Sequence, residues 1–263
     1  MEKALKTVVA AAFIVMIAVN ALANILPFNN LTTGQVSDAY PNLFAPAPLT
    51  FGIWAIIYLL LALHILYLLG LAGGPRDVSK KLLARTGVLF AASSLLNAGW
   101  MFAWHYRLIP LSMGLMAAIL ICLAAITQMY RHAGLGRKEN LFLLLPFSVY
   151  FGWITIATIA NATALLVSLQ WDGFGILPQT WTAVVLAVGL IIGGTVILRQ
   201  KDAAYGLVLI WAYAGILIKH VSAGGFQGAY PAVYLTVIAC VALLAAATGI
   251  AAFGKGKRKA PAR

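Results

Sequence analysis

The chain has 263 residues, of which 63% are hydrophobic and only 9% charged, and its mean hydropathy is +0.95. That balance excludes an ordinary soluble domain and a disordered chain alike. A net charge of +12 could suit nucleic acid, but the basic residues border long apolar stretches and form no stripe, so no nucleic-acid partner is expected.

Eight stretches hold no Asp, Glu, Lys or Arg: residues 7–27, 49–71, 86–104, 109–130, 141–169, 180–198, 203–218 and 230–253. Most are about 20 residues long, which as helix crosses a hydrocarbon core of roughly 30 Å. The expected fold is therefore all-α and integral to a membrane, with eight transmembrane helices. Laid alternately across a bilayer, they place sixteen of the 18 Lys and Arg on one side, from Lys3 and Lys6 through Arg76, Lys80, Lys81, Arg85 and Arg131 to the tail from Lys255 to Arg263. Only Arg107 and Lys219 fall on the other side. The positive-inside rule then predicts cytoplasmic termini and cytoplasmic basic loops.

In the first helix, Lys3, Lys6, the apolar run and Ala21-Leu22-Ala23 resemble a cleavable signal peptide. A retained helix better explains Asn20 and Asn24, which are one turn apart and should both face protein, because an amide in lipid would leave its polar atoms unsatisfied. The segment 28–48 follows, with Asp38 as its sole charge. A connection of that length suggests an outer lid, or else a passive linker. Trp54 and Tyr58 lie one turn apart near the start of the second helix. His64, further along it, reads as a neutral hydrogen-bonded residue with no ligand spacing to another His. The third helix aligns Asn97, Trp100 and Trp104, and the fifth carries Trp153 and Asn161 two turns apart. The sixth contains Gly189-x-x-x-Gly193, a close-packing pattern. Cys122 and Cys240 lie inside helices and read as inert core residues, without a disulfide framework. Trp104, Trp171 and Trp181 read as interface anchors; Trp211, at depth, needs another reason.

All six acids lie in loops or tails. No catalytic residue, no metal site and no enzyme activity is expected from such a pattern. Topology puts Asn20, Asn24, Trp54, Tyr58, Asn97, Trp100 and Asn161 in the outer half of the membrane, with Trp153 nearer its middle. Aromatic walls with a few amides suit a pocket for a flat, largely apolar ligand. The same pattern suits interhelical hydrogen bonding and aromatic packing without any ligand.

At these residues the sequence resembles the tryptophan-rich sensory protein family, also called the translocator protein or peripheral benzodiazepine receptor family. Phe51-Gly52-x-Trp54-x-x-x-Tyr58, after a Pro-containing loop, is similar to that family's second helix. Leu96-Asn97-x-x-Trp100 is similar to its third, and Trp153-x-x-x-Ala157-Thr158-x-x-Asn161 to its fifth. The resemblance covers about residues 1–170 and implies a five-helix bundle, here residues 1–177. Residues 178–263 are then a three-helix membrane extension with a basic tail, which could pair two copies of the chain, complete a second cavity or pad the bundle. What the resemblance implies is binding, sensing or movement of a hydrophobic ligand such as a tetrapyrrole, with no obligatory cofactor. Trp54, Asn97, Trp100, Trp153 and Asn161 carry over as pocket residues. Expected partners are that small molecule and the bilayer, and the expected location is a bacterial cytoplasmic membrane. The alternative is a small-molecule permease using all eight helices.

Overall fold

The computed structural model of the chain describes residues 1–26, 28–71, 73–75 and 77–254. Pro27, Arg76 and the basic tail from Lys255 onward, used above in the charge map, lie outside the described residues. The described chain is helical throughout: α1 Lys3–Ile25, α2 Thr33–Asp38, α3 Ile53–Leu69, α4 Lys80–His105, α5 Ile109–His132, α6 Arg137–Glu139, α7 Leu145–Ser168, α8 Pro178–Gln200, α9 Ala203–Val221 and α10 Pro231–Phe253. A π-helical turn, Asn140–Leu144, joins α6 to α7, so Arg137–Ser168 is one continuous rod. Among the described residues eight helices are long and apolar enough to cross a membrane. They match the eight charge-free stretches and overrun several at the ends; α4 begins at Lys80 and carries Lys81 and Arg85 before its apolar part.

Local sequence explains where these rods start and stop. Proline occupies the first turn of α5, α8 and α10, where its missing N–H is not needed and its fixed φ suits the helix. α3 ends at Gly70, whose φ of 95° reverses the chain while Leu71 N donates back to the Leu66 carbonyl. Pro146 of α7 has a different consequence. It cannot donate to the carbonyl four residues earlier, at Phe142, and His64 Nδ1 donates to that oxygen at 2.8 Å. The lone intramembrane histidine of α3 thus satisfies a gap in the α7 rod.

The chain forms two compact units. The first comprises Met1–Asn42 and Phe51–Asp172; the second comprises Leu43–Thr50 and the chain from Gly173 onward. In the first unit α1, α4, α5, α7 and α3 pack in that cyclic order, each against two neighbours. Its half nearest the basic loops is filled by aromatic side chains. His64 lies edge-on to Phe147 and Phe90 at 4.9 and 5.6 Å, Phe90 to Phe147 at 5.1 Å, and the Tyr130 hydroxyl bonds Thr86 Oγ1 at 2.8 Å.

In the second unit α8, α9 and α10 pack mutually. Gly189 and Gly193 are both buried on α8, and a Cβ at Gly193 would collide with Leu209 of α9. Within the close-packing pattern of the sixth membrane helix, Gly193 therefore marks a contact with α9. The second unit divides from the first at residue 172, five residues before the expected boundary, and it also takes in Leu43–Thr50, of which the first six residues belong to the long segment 28–48. Those residues lie along α9. Trp211 Nε1 donates to the Thr50 carbonyl (2.9 Å), Ala47 N donates to the Gly215 carbonyl (3.0 Å), and His220 Nε2 donates to the Leu43 carbonyl (2.9 Å). Gly215 is needed there, since a Cβ on it would strike the Thr50 side chain. Trp211, 41% exposed, finds its reason in this bond.

Candidate functional site

Two amides and a phenol tie three helices of the first unit together. Asn20 on α1 donates through Nδ2 to Asn97 Oδ1 on α4 (2.7 Å) and to its own helix at the Met16 carbonyl (2.8 Å). Asn97 Nδ2 in turn donates to the Tyr150 hydroxyl on α7 at 3.0 Å. All three side chains are at most 5% exposed, so each bond replaces an otherwise unsatisfied polar group in an apolar interior. A neighbouring aromatic group brings in α3. Trp54 stacks on Tyr58 with ring centres 5.3 Å apart, and lies edge-on to Tyr150 (5.8 Å) and Trp153 (6.2 Å). Phe51 closes the far side of Trp153 edge-on at 5.9 Å.

The structure therefore joins Asn20, Asn97, Trp54, Tyr58 and Trp153 into one connected cluster through Tyr150. Tyr150 was missed in the sequence, although it precedes Trp153 by three residues and so shares its helical face. The remaining candidates sit in other contacts. Asn161 pairs with Ser112 at the start of α5, Asn161 Nδ2 donating to Ser112 Oγ at 3.0 Å. Trp100 stacks on Trp104, one turn further along α4, at 5.6 Å. Asn24 departs from expectation: its side chain is exposed, and it satisfies its amide on the Asn20 carbonyl at 2.9 Å. Being one turn nearer the helix end, it lies past the packed interior. Trp104 is also not the interface anchor its position suggested. It is buried, and its Nε1 donates to the Thr33 carbonyl at 3.2 Å.

That last bond is part of how the outer segment is built. Thr32 caps α2 reciprocally with Gln35, and Tyr40 packs near Trp104 at 6.3 Å. Phe28 stacks on Phe102 at 4.9 Å, and Asn29 Nδ2 donates to the His105 carbonyl at 3.2 Å. Residues 28–42 are thus a folded cover on the C-terminal end of α4.

The donors in this region are unequally occupied. The amides of Asn97 and Asn161 are already engaged within the protein. The indole N–H groups of Trp100 and Trp153 are buried, at 7% and 3% exposure, and have no hydrogen-bond partner among the described residues. A buried indole normally finds one. Among the described residues no group of three or more His, Cys, Asp or Glu could hold a metal ion.

No curated protein and no solved structure matches the chain. The family model described as TSPO-like protein matches residues 6–250. That span runs through α8 and α9 and into α10, so the three helices that the motif resemblance left unaccounted for belong to the family pattern too. Family-wide coverage, together with eight membrane-length helices, makes this chain an integral multi-pass membrane protein of the TSPO-like family.

Proposed function

We propose that the first unit binds a flat, largely apolar ligand bearing hydrogen-bond acceptors, a tetrapyrrole being the leading chemical class, and that the protein senses or moves it. The observation that carries this reading is the pair of buried, unpartnered indole N–H groups of Trp100 and Trp153. Trp54, Tyr58 and Trp153 offer stacking surface, and the indoles offer donors to carboxylate or carbonyl oxygens. Asn20, Asn97 and Tyr150 hold the aromatic groups in place, and Asn161 holds α5 against α7. With the termini on the cytoplasmic side of a bacterial membrane, as the basic loops favour, the cluster lies toward the outside, beneath residues 28–42. Binding is favoured over a conduit because the half of the first unit nearest the basic loops is occupied by His64, Phe90, Tyr130 and Phe147.

The test is a titration of the purified protein with protoporphyrin, followed by the porphyrin's own absorbance. Trp153→Phe and Trp100→Phe keep most of the ring and delete only the donor. Each is expected to weaken binding about tenfold, the value of one charge-assisted hydrogen bond. Trp54→Ala should weaken it further by removing a stacking face. Unchanged affinity in all three variants would sink the assignment.

A further inference from the structure

At the opposite end of the first unit from the aromatic cluster, α4 and α5 border an open groove of about 560 Å³ at the protein surface. Its polar lining comes from Ser79, Lys81 and Arg85, the last two one turn apart on α4, and from Gln128 and His132 on α5. Its apolar lining comes from Leu82, Ala125 and Met129. No carboxylate lines it, and neither Lys81 nor Arg85 has an ion-pair or hydrogen-bond partner among the described residues. His132 Nδ1 donates to the Gln128 carbonyl at 2.8 Å, which fixes the ring and reserves Nε2 for a ligand.

Charge-bordered helix ends are ordinary in membrane proteins; two cations and an imidazole converging on one groove with an apolar wall are a more specific arrangement. An anionic oxygen cluster satisfies the three nitrogen groups together. The apolar wall needs a hydrocarbon partner, because Ala125 and Met129 lie on the membrane-spanning length of α5. We infer that this groove is a binding site for the phosphate headgroup of an anionic phospholipid, with its glycerol and upper acyl chain against Leu82, Ala125 and Met129. Lys81 and Arg85 supply point and forked donors to the phosphate, at the level where basic juxtamembrane residues meet anionic lipid.

The site is tested on the full chain in mild detergent by native mass spectrometry, titrating phosphatidylglycerol against phosphatidylcholine with identical acyl chains. Phosphatidylglycerol adducts should survive preferentially in the wild type. Lys81→Gln with Arg85→Gln should reduce their retention about tenfold. Ala125→Trp, which fills the groove but keeps every charge, should do the same. Lys80→Gln removes a neighbouring charge outside the lining and should leave retention unchanged. Equal retention of the two lipids, or equal loss in Lys80→Gln and the double variant, overturns the proposal. So does displacement of bound phosphatidylglycerol by millimolar inorganic phosphate, which would assign the site to a free anion.

Discussion

Gly215→Val is expected to lower the thermal midpoint of the protein by about 10 °C and to weaken porphyrin binding as well. The added branches occupy the space of the Thr50 side chain, and overpacking of this kind costs about 1–3 kcal/mol. If the segment lifts away instead, the three bonds that pin it to α9 are lost, each worth about 0.5–1.5 kcal/mol. Either route reaches about 3 kcal/mol, which translates to roughly 10 °C for a chain of this size. The effect on binding follows from connectivity: Thr50 lies in the turn Pro48–Gly52 that runs straight into α3, four residues before Trp54. Gly249→Val on α10 is the matched control, since a Cβ there meets nothing within 4 Å. Combining Gly215→Ala with Thr50→Gly should recover much of the loss suffered by Gly215→Ala alone, as a size exchange within one contact does. If Gly215→Val melts with the control, the segment is not anchored at this point.

Asn97→Leu should be the most damaging change within the aromatic and amide cluster. It removes the acceptor of Asn20 and the donor to Tyr150 in one step. Interhelical hydrogen bonds in membranes are individually modest, averaging about 0.6 kcal/mol, but buried groups left unpaired cost about 1–3 kcal/mol. The expected loss is therefore about 2–3 kcal/mol, read as a fall in thermal midpoint. A second readout separates structure from ligand contact. Because Tyr150 supports the edge of Trp54, Asn97→Leu should weaken porphyrin binding, and Asn161→Leu, which breaks only the Ser112 pair, should destabilise without changing affinity. An Asn97→Leu protein as stable as wild type and binding equally well would remove Asn97 from both roles.

How far these features can be read from residues alone depends on the signal each leaves. The eight rods are legible because charge exclusion is a strong, local requirement of the hydrocarbon core. Depth is legible because alternation of direction follows from the rods. Azimuth is not: it decides that Asn97 meets Tyr150, and that Asn161, roughly 16 Å further along α7, meets Ser112. Helical spacing places Asn24 on the Asn20 face, but only packing shows that the bundle no longer covers it there. Trp104 looks like an interface residue by position, and the folded cover of residues 28–42 buries it. Least legible of all is Leu43–Thr50. It is held through its own backbone carbonyls and N–H and against a glycine, which have no periodicity to reveal them.

The Leu43–Thr50 contacts with α9 also set the order in which the protein can be completed. Trp211 meets Thr50 across 161 residues of sequence, and His220 meets Leu43 across 177. At a synthesis rate of about 5–20 residues per second, the ribosome needs roughly ten to thirty seconds to make α9 after the segment it receives has emerged. Through that interval α1 and α3 to α7 can insert and pair, and residues 28–42 can settle on α4, while Leu43–Thr50 has no seat. The entry to Trp54 is thus among the last parts of the first unit to settle, and a nascent chain stalled before α9 would carry a bundle in which Leu43–Thr50 is still unmoored.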